Sequence, residues 1–342
     1  MKIGVLTGGG DCPGLNAAIR GVVRTAITKY GWEVVGIKNG WGGLLDKESI
    51  PLDLSATSGI LHKGGTILGS SRTNPFKIDG GPEKALKNID EMGLDALIAI
   101  GGDDTLGVAK KLYDLKAKVI GIPKTIDNDL SATEATIGFN TAVTTAVDAI
   151  DKLHSTAESH HRVIIVEVMG RHAGWVATAA GLAAGADYIL IPEKPTAIDE
   201  IIEVIEARHS RGKDFSIIVI AEGATLTGGK DYAKISEETD AFGHVRLGGV
   251  GYQLESEIKN RTDIDTRVTV LGHVVRGGSP TVFDRILATR YGVKAVELVA
   301  KKDFGKMVAL KSDRIVAVPL SKSVKNRQVT DEFYEMAKIF FG

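Results

Sequence analysis

Two short apolar runs in this chain each empty into a loop of acids and small residues. Leu97–Ile100 ends in Gly101–Gly102–Asp103–Asp104–Thr105, and Val119–Ile122 ends in Pro123–Lys124–Thr125–Ile126–Asp127–Asn128–Asp129. If both loops face one crevice, the carboxylates of Asp103, Asp104, Asp127 and Asp129 repel one another unless a cation, or a phosphoryl group with its metal, lies between them. Phosphoryl transfer asks for that arrangement: charge neutralisation and positioning, with a base beside the attacking hydroxyl. A third loop, Gly8–Gly9–Gly10–Asp11–Cys12–Pro13–Gly14–Leu15–Asn16, follows the apolar run Ile3–Thr7. Its glycines let backbone N–H groups close on a phosphate, and the helix expected beyond it adds partial positive charge.

These loops need elements that aim them at one place. Strand-like runs alternate with helical spacing along most of the chain, which implies parallel sheets whose ligands gather beyond the strands' carboxyl ends. Strands are expected at Ile3–Thr7, Trp32–Ile37, Arg162–Val168, Tyr188–Ile191, Phe215–Ala221, Arg267–Leu271 and Ile315–Val318. Helices are expected at Leu15–Ala26, Leu106–Leu115, Phe139–Leu153, Val176–Ala184, Ile198–Arg211, Val250–Lys259, Thr281–Ala300 and Thr330–Phe341. Gly40–Gly43 reads as a loop whose Trp41 either meets a ligand or packs inward, with packing preferred. Thr225–Gly249, polar and rich in glycine, reads as loop with little structure. The adjacent His160 and His161 make a poor chelate, because neighbouring strand side chains point apart, and no metal is assigned to them.

Size and composition narrow the class. At 342 residues the chain exceeds one ordinary core, so two domains are expected. A net charge of −1 without a basic run argues against nucleic acid as a partner. One cysteine, Cys12, forms no intrachain disulfide, and no apolar run is long enough to span a bilayer. A cytoplasmic, membrane-free protein is expected.

At the glycine loop, the GGDDT loop, the PKTIDND loop and Met169–Gly170–Arg171, the chain resembles the phosphofructokinases of the bacterial type. The resemblance runs in the family's order over nearly the whole chain. It implies two Rossmann-like three-layer α/β domains with mainly parallel sheets and the active site in the cleft between them. Residues 1–137 and 275–325 would bind donor and metal, and residues 138–274 and 326–342 the sugar phosphate. By the same resemblance Asp127 takes the proton from the sugar's 1-hydroxyl, Asp103 holds Mg²⁺, and Arg72 contacts the transferred phosphoryl group. Lys124 and Arg171 offset the acids, and Gly10, Arg72, Asp104 and Lys124 face the donor. Arg162, Arg267, His273 and Arg276 match the family's sugar-phosphate positions, while Thr125, Met169, Gly170 and Glu222 line the sugar. The equivalents of Arg162 and Arg267 reach in from a neighbouring subunit, so a homodimer or homotetramer with shared sites is implied.

The donor turns on two positions. ATP-using members commonly carry glycine where this chain has Asp104 and Lys124. A side chain at Asp104 fills space and adds charge where a nucleotide would pass, and Lys124 supplies a cation suited to inorganic phosphate. The pair resembles the pyrophosphate-dependent branch, which implies reversible transfer from pyrophosphate to fructose 6-phosphate with Mg²⁺. The alternatives are ATP as donor and a catalytically silent sugar-phosphate sensor. Kinases of NAD and lipids share a glycine–aspartate loop but lack the TIDND and MGR loops. Arg20 and Arg24 resemble part of a family effector site, but His154 stands where another arginine is expected, so a solvated helix face is the preferred reading.

Overall fold

The computed structural model describes residues 1–228, 249–323 and 326–342. Two compact units emerge: Met1–Thr141 with Arg276–Asn326, and Ala142–Val275 with Arg327–Gly342. The chain runs through β1 (Lys2–Thr7), α1 (Leu15–Tyr30), β2 (Glu33–Ile37), α2 (Gly40–Asp46), β3 (Ser49–Pro51), α3 (Gly81–Glu91), β4 (Ala96–Gly101), α4 (Asp103–Asp114), β5 (Val119–Thr125), β6 (Ile137–Gly138) and α5 (Phe139–His160). It continues through β7 (Val163–Val168), α6 (Trp175–Ala183), β8 (Tyr188–Leu190), β9 (Thr196–Ala197), α7 (Ile198–Ser210), β10 (Ser216–Ala221), β11 (Leu226–Thr227), α8 (Val250–Arg261) and β12 (Thr266–Val270). The last elements are α9 (Val282–Ala300), β13 (Lys306–Lys311), β14 (Arg314–Pro319) and α10 (Asp331–Lys338).

The first unit is built on a sheet ordered β14-β13-β5-β4-β1-β2-β3, with β6 added to the end of β5. Its inner strands are parallel, and only the two edge pairs, β13–β14 and β2–β3, are antiparallel. Every residue of β4 is buried, as an apolar run covered on both faces by helices should be. On one face α1 crosses α9 at a glycine contact. A Cβ on Gly292 would stand 2.6 Å from the Ala18 carbonyl oxygen, and one on Gly21 2.9 Å from that of Thr289, so the backbones approach as no larger residue permits.

The second unit carries a parallel sheet ordered β12-β7-β10-β8 and a small β9–β11 pair. β7 and β10 are buried throughout. Glu167, buried on β7, is satisfied by the start of α8, accepting from Gly249 N–H at 3.3 Å and Gly251 N–H at 2.9 Å. Asp187 and Arg208 form a largely buried ion pair at 2.8 Å. Burial raises the Asp187 carboxyl above its ordinary range, and the Ile217 N–H and Arg208 work against that rise.

The α/β class with mainly parallel sheets is borne out, and local readings need correction. The polar stretch Ser155–His160 continues α5, because a surface helix needs only one apolar stripe, supplied there by buried Ala157. Gly40–Gly43 is helical rather than loop, and Trp41 is buried. Asp103 and Asp104 form the first turn of α4, and Pro123–Thr125 belong to β5. Leu226–Thr227 pair as strand inside the stretch read as loop, and residues 229–248 of that stretch lie outside the described residues. Among the described residues no helix is long and apolar enough to cross a membrane.

Candidate active site

In the first unit three neighbouring strands deliver their loops to one edge. Thr7 of β1 is level with Ile100 of β4, and Gly101 of β4 with Pro123 of β5, so the glycine loop, the GGDDT turn and the TIDND loop leave side by side. Gly8 N–H donates to the Ile100 carbonyl at 2.9 Å. Thr105 fills the space between the first two loops, since a Cβ on Gly8 or Gly101 would lie 2.6 or 2.3 Å from its side chain. Small residues are therefore demanded at both positions.

Lys124 is buried and donates from Nζ to the carbonyl of Gly10. Burial pulls its pKa below the ordinary lysine range, Arg276 adds to that, and Asp11 and Asp103 oppose it. Arg276 itself donates to the Asp11 carbonyl at 3.2 Å and lies over Gly10, where a Cβ would stand 2.7 Å from Nη1. This arginine, matched on sequence to sugar-phosphate positions, is placed in the first unit against the glycine loop. Beside it a hollow of about 570 Å³ is lined by Gly9, Gly10, Asp11, Ser70, Ser71 and Arg72 among others. Ser70 Oγ donates to the Gly9 carbonyl at 2.5 Å and ties the two walls together.

The TIDND loop is braced from within. Asn128 takes a left-handed conformation, φ 49°, and its Oδ1 accepts from Thr136 N–H at 3.1 Å and Thr136 Oγ1 at 3.3 Å. Thr136 Oγ1 also accounts for the Thr125 carbonyl, donating at 2.6 Å, and Thr125 Oγ1 accepts from Asp127 N–H at 3.1 Å. Asp127 is held with Oδ1 buried. Burial first, then the charges of Asp127 and Asp103, raise the Asp129 carboxyl to about 7. Asp103, Asp127 and Asp129 thus lie close enough to act on one another.

Among the described residues no set of three or more His, Cys, Asp or Glu side chains converges as a metal cage. A Mg²⁺ ion does not require one, since it keeps water and substrate phosphate as ligands and takes one or two carboxylates from the protein. Exposed Asp103, in the first turn of α4, beside acids whose mutual repulsion a cation would relieve, fits such an ion.

The second unit brings together its own set. Met169, Gly170 and Arg171 follow β7, Glu222 follows β10, and His273 lies in the turn after β12, all at the carboxyl edge of the sheet. Glu222 N–H donates to Val168 at 2.9 Å and Gly223 N–H to Gly170 at 3.1 Å. A Cβ on Gly223 would lie 2.1 Å from the Arg171 carbonyl oxygen, so glycine is needed for the two loops to touch. Arg162 and Arg267 stand at the other edge. Arg162 Nε donates to Asp265 at 2.5 Å, and Arg267 Nη1 bonds the same carboxylate. Burial raises the Asp265 carboxyl, but Arg162 and Arg267, with Lys259, together outweigh it and hold the group below its usual range. Seven steps along β7 at about 3.3 Å each put ~23 Å between Arg162 and Met169.

Sequence reasoning missed Thr105, Asn128, Thr136 and Ser70. Asn128, Thr136 and Ser70 act through backbone groups of residues well away in sequence, Thr105 by filling the space between Gly8 and Gly101, and only Asn128, flanked by acids in a tight polar loop, carries a local signal for a left-handed turn.

Parallel α/β units with acids, a buried lysine and glycine loops at the strands' carboxyl ends define a phosphoryl-transfer enzyme. The phosphofructokinase family model matches residues 2–299, and the chain belongs to the phosphofructokinase family. It is 56% identical over 344 aligned positions, covering all of both chains, to the pyrophosphate--fructose 6-phosphate 1-phosphotransferase of Amycolatopsis mediterranei. It is 50% identical, over 99% of both chains, to ATP-dependent 6-phosphofructokinase 3 of Streptomyces coelicolor. The structure of phosphofructokinase from Saccharomyces cerevisiae superposes with a TM-score of 0.81 at 35% identity, over 94% of this chain and 45% of that one.

Proposed function

We propose that the protein transfers phosphate from pyrophosphate to the 1-hydroxyl of fructose 6-phosphate, reversibly and with Mg²⁺, in the cytoplasm. The observation that carries the donor assignment is the pair Asp104 and Lys124. Asp104 places a half-buried carboxylate on the first turn of α4, one residue past Asp103, where a nucleotide's remaining phosphate and ribose would be repelled. Lys124 holds the Gly10 carbonyl and fixes a cation beneath the glycine loop. Relatives named for pyrophosphate lie at somewhat higher identity than those named for ATP, and these two residues point the same way.

Asp127 is the base, removing the proton of the 1-hydroxyl as its oxygen attacks the terminal phosphorus of the donor. Mg²⁺, held by Asp103, would neutralise the oxygens of the transferred group. Arg72, Lys124 and Arg171 stabilise charge on that group and on the leaving phosphate. Thr125, Met169, Gly170, Glu222, His273 and Arg276 receive the sugar phosphate, with Gly10 at the donor. Arg162, ~23 Å from the loop that follows β7, and Arg267, near the same end of the neighbouring strand β12, serve the sugar phosphate of a second copy, which makes the working form a homo-oligomer with shared sites.

Initial rates on purified protein with fructose 6-phosphate and Mg²⁺, pyrophosphate against ATP, test this reading. Turnover with pyrophosphate supports it. Turnover with ATP alone overturns the donor and leaves the acceptor and base in place.

A further inference from the structure

Glu193 lies outside every motif named above, in the turn between β8 and β9, yet its carboxylate joins two segments far apart in sequence. Gly174 N–H donates to both of its oxygens, at 3.1 Å to Oε1 and 3.0 Å to Oε2, and Val329 N–H donates to Oε1 at 2.9 Å. Gly174 is the N-cap of α6 and follows Arg171 by three residues, while Val329 belongs to the segment that returns to this unit after Arg327. Hydrogen bonds to an ionised acceptor are the stronger kind, so this carboxylate fixes both backbones at once.

The same two segments meet again next door. Trp175 Nε1 donates to the Arg327 carbonyl at 3.0 Å, and the Arg327 guanidinium lies over the indole, 4.2 Å from its centroid. Nor can the loop retreat. A Cβ on Gly174 would lie 2.3 Å from Ile191, one on Gly170 would lie 2.9 Å from the Ala173 carbonyl, and Gly223 backs onto the carbonyl of Arg171. Met169–Arg171 is thus held at one end by Gly223 and at the other by the Glu193 clasp.

We propose that Glu193 is a positioning residue for the acceptor sugar. By clasping Gly174 to Val329 it fixes the angle at which Met169, Gly170 and Arg171 meet the sugar phosphate, so the return segment sets acceptor affinity without touching the acceptor. This rests on the assignment of those three residues to the sugar. Glu193→Ala removes the clasp, whereas Glu193→Gln keeps one oxygen able to serve both N–H groups.

Steady-state kinetics on the full chain, varying fructose 6-phosphate and donor separately, test it. Glu193→Ala should raise the KM for fructose 6-phosphate about ten-fold with the donor KM within about two-fold, and Glu193→Gln should restore most of the loss. Trp175→Phe, which deletes the indole donor and part of the face under Arg327, should move the sugar KM the same way by about two- to four-fold, and it answers the question if the alanine variant does not fold. Both KM values rising together, or an unchanged sugar KM in the variants that fold, overturns the proposal. Wild type separates this from the functional reading: if it uses ATP in place of pyrophosphate, the donor assignment falls and the comparison proceeds with ATP. If it turns over fructose 6-phosphate with neither, both fall.

Discussion

At the scale of single residues the site is a balance of charges within a few loops. As the proposed base, Asp127 would act in the transition state alone, so Asp127→Ser should cut kcat by about a thousandfold or more while fructose 6-phosphate affinity stays within about three-fold. Binding titration beside turnover checks this, and unchanged turnover removes Asp127 from the mechanism. Asp104→Gly removes a charge and a volume together, and the KM for ATP should fall at least about ten-fold while pyrophosphate still turns over. If ATP affinity does not move, contacts other than Asp104 choose the donor. The acids, the glycines and Lys124 were legible in the sequence because they gather in three loops that each directly follow an apolar run. Their supports were not. That Lys124 turns back onto Gly10, that Arg276 lies over the same glycine and that Thr136 braces Asn128 follow from tertiary placement, which no local pattern encodes.

At the scale of elements, legibility followed periodicity. Buried parallel strands announce themselves as apolar runs, and β1, β4, β7 and β10 fell where those runs lie. Elements with weaker patterns went unread: α3 begins at Gly81–Pro82 with a narrow apolar stripe, and β13 is four apolar residues between two lysines. The glycine loop between β1 and α1 carries a titration of its own. Cys12 is buried, its Sγ 3.4 Å from the Ile137 carbonyl, and burial pushes the thiol up to about 12. A native thiol held protonated while the unfolded one ionises near 8.5 means that the folded chain binds the extra proton, so stability falls as pH rises from about 8.5 toward 12. Between pH 8 and pH 10 wild type should lose about 2 kcal/mol more than Cys12→Ala, read from urea unfolding. Parallel losses in both proteins would remove Cys12 as the cause.

At the scale of the whole molecule, the placement of Arg162 and Arg267 away from their own chain's MGR loop predicts complementation. Chains carrying Asp127→Ser and chains carrying Arg162→Ala should each be nearly inactive, and co-refolded together they should regain up to about a quarter of wild-type activity through mixed pairs with one intact site. No recovery would confine each site to a single chain. The interleaved division of the chain bears on a different matter, its synthesis. The first unit needs residues up to Asn326 and the second needs the last residues to Gly342. α1 waits for α9 to supply Gly292, and β5 waits for β13 to cover its flank. A nascent chain of about 270 residues thus still lacks the partners of α1 and β5, and the first unit stays open until its second segment has been made. Closing the first unit therefore depends on contacts of high sequence separation, which slow folding relative to a chain built from local contacts.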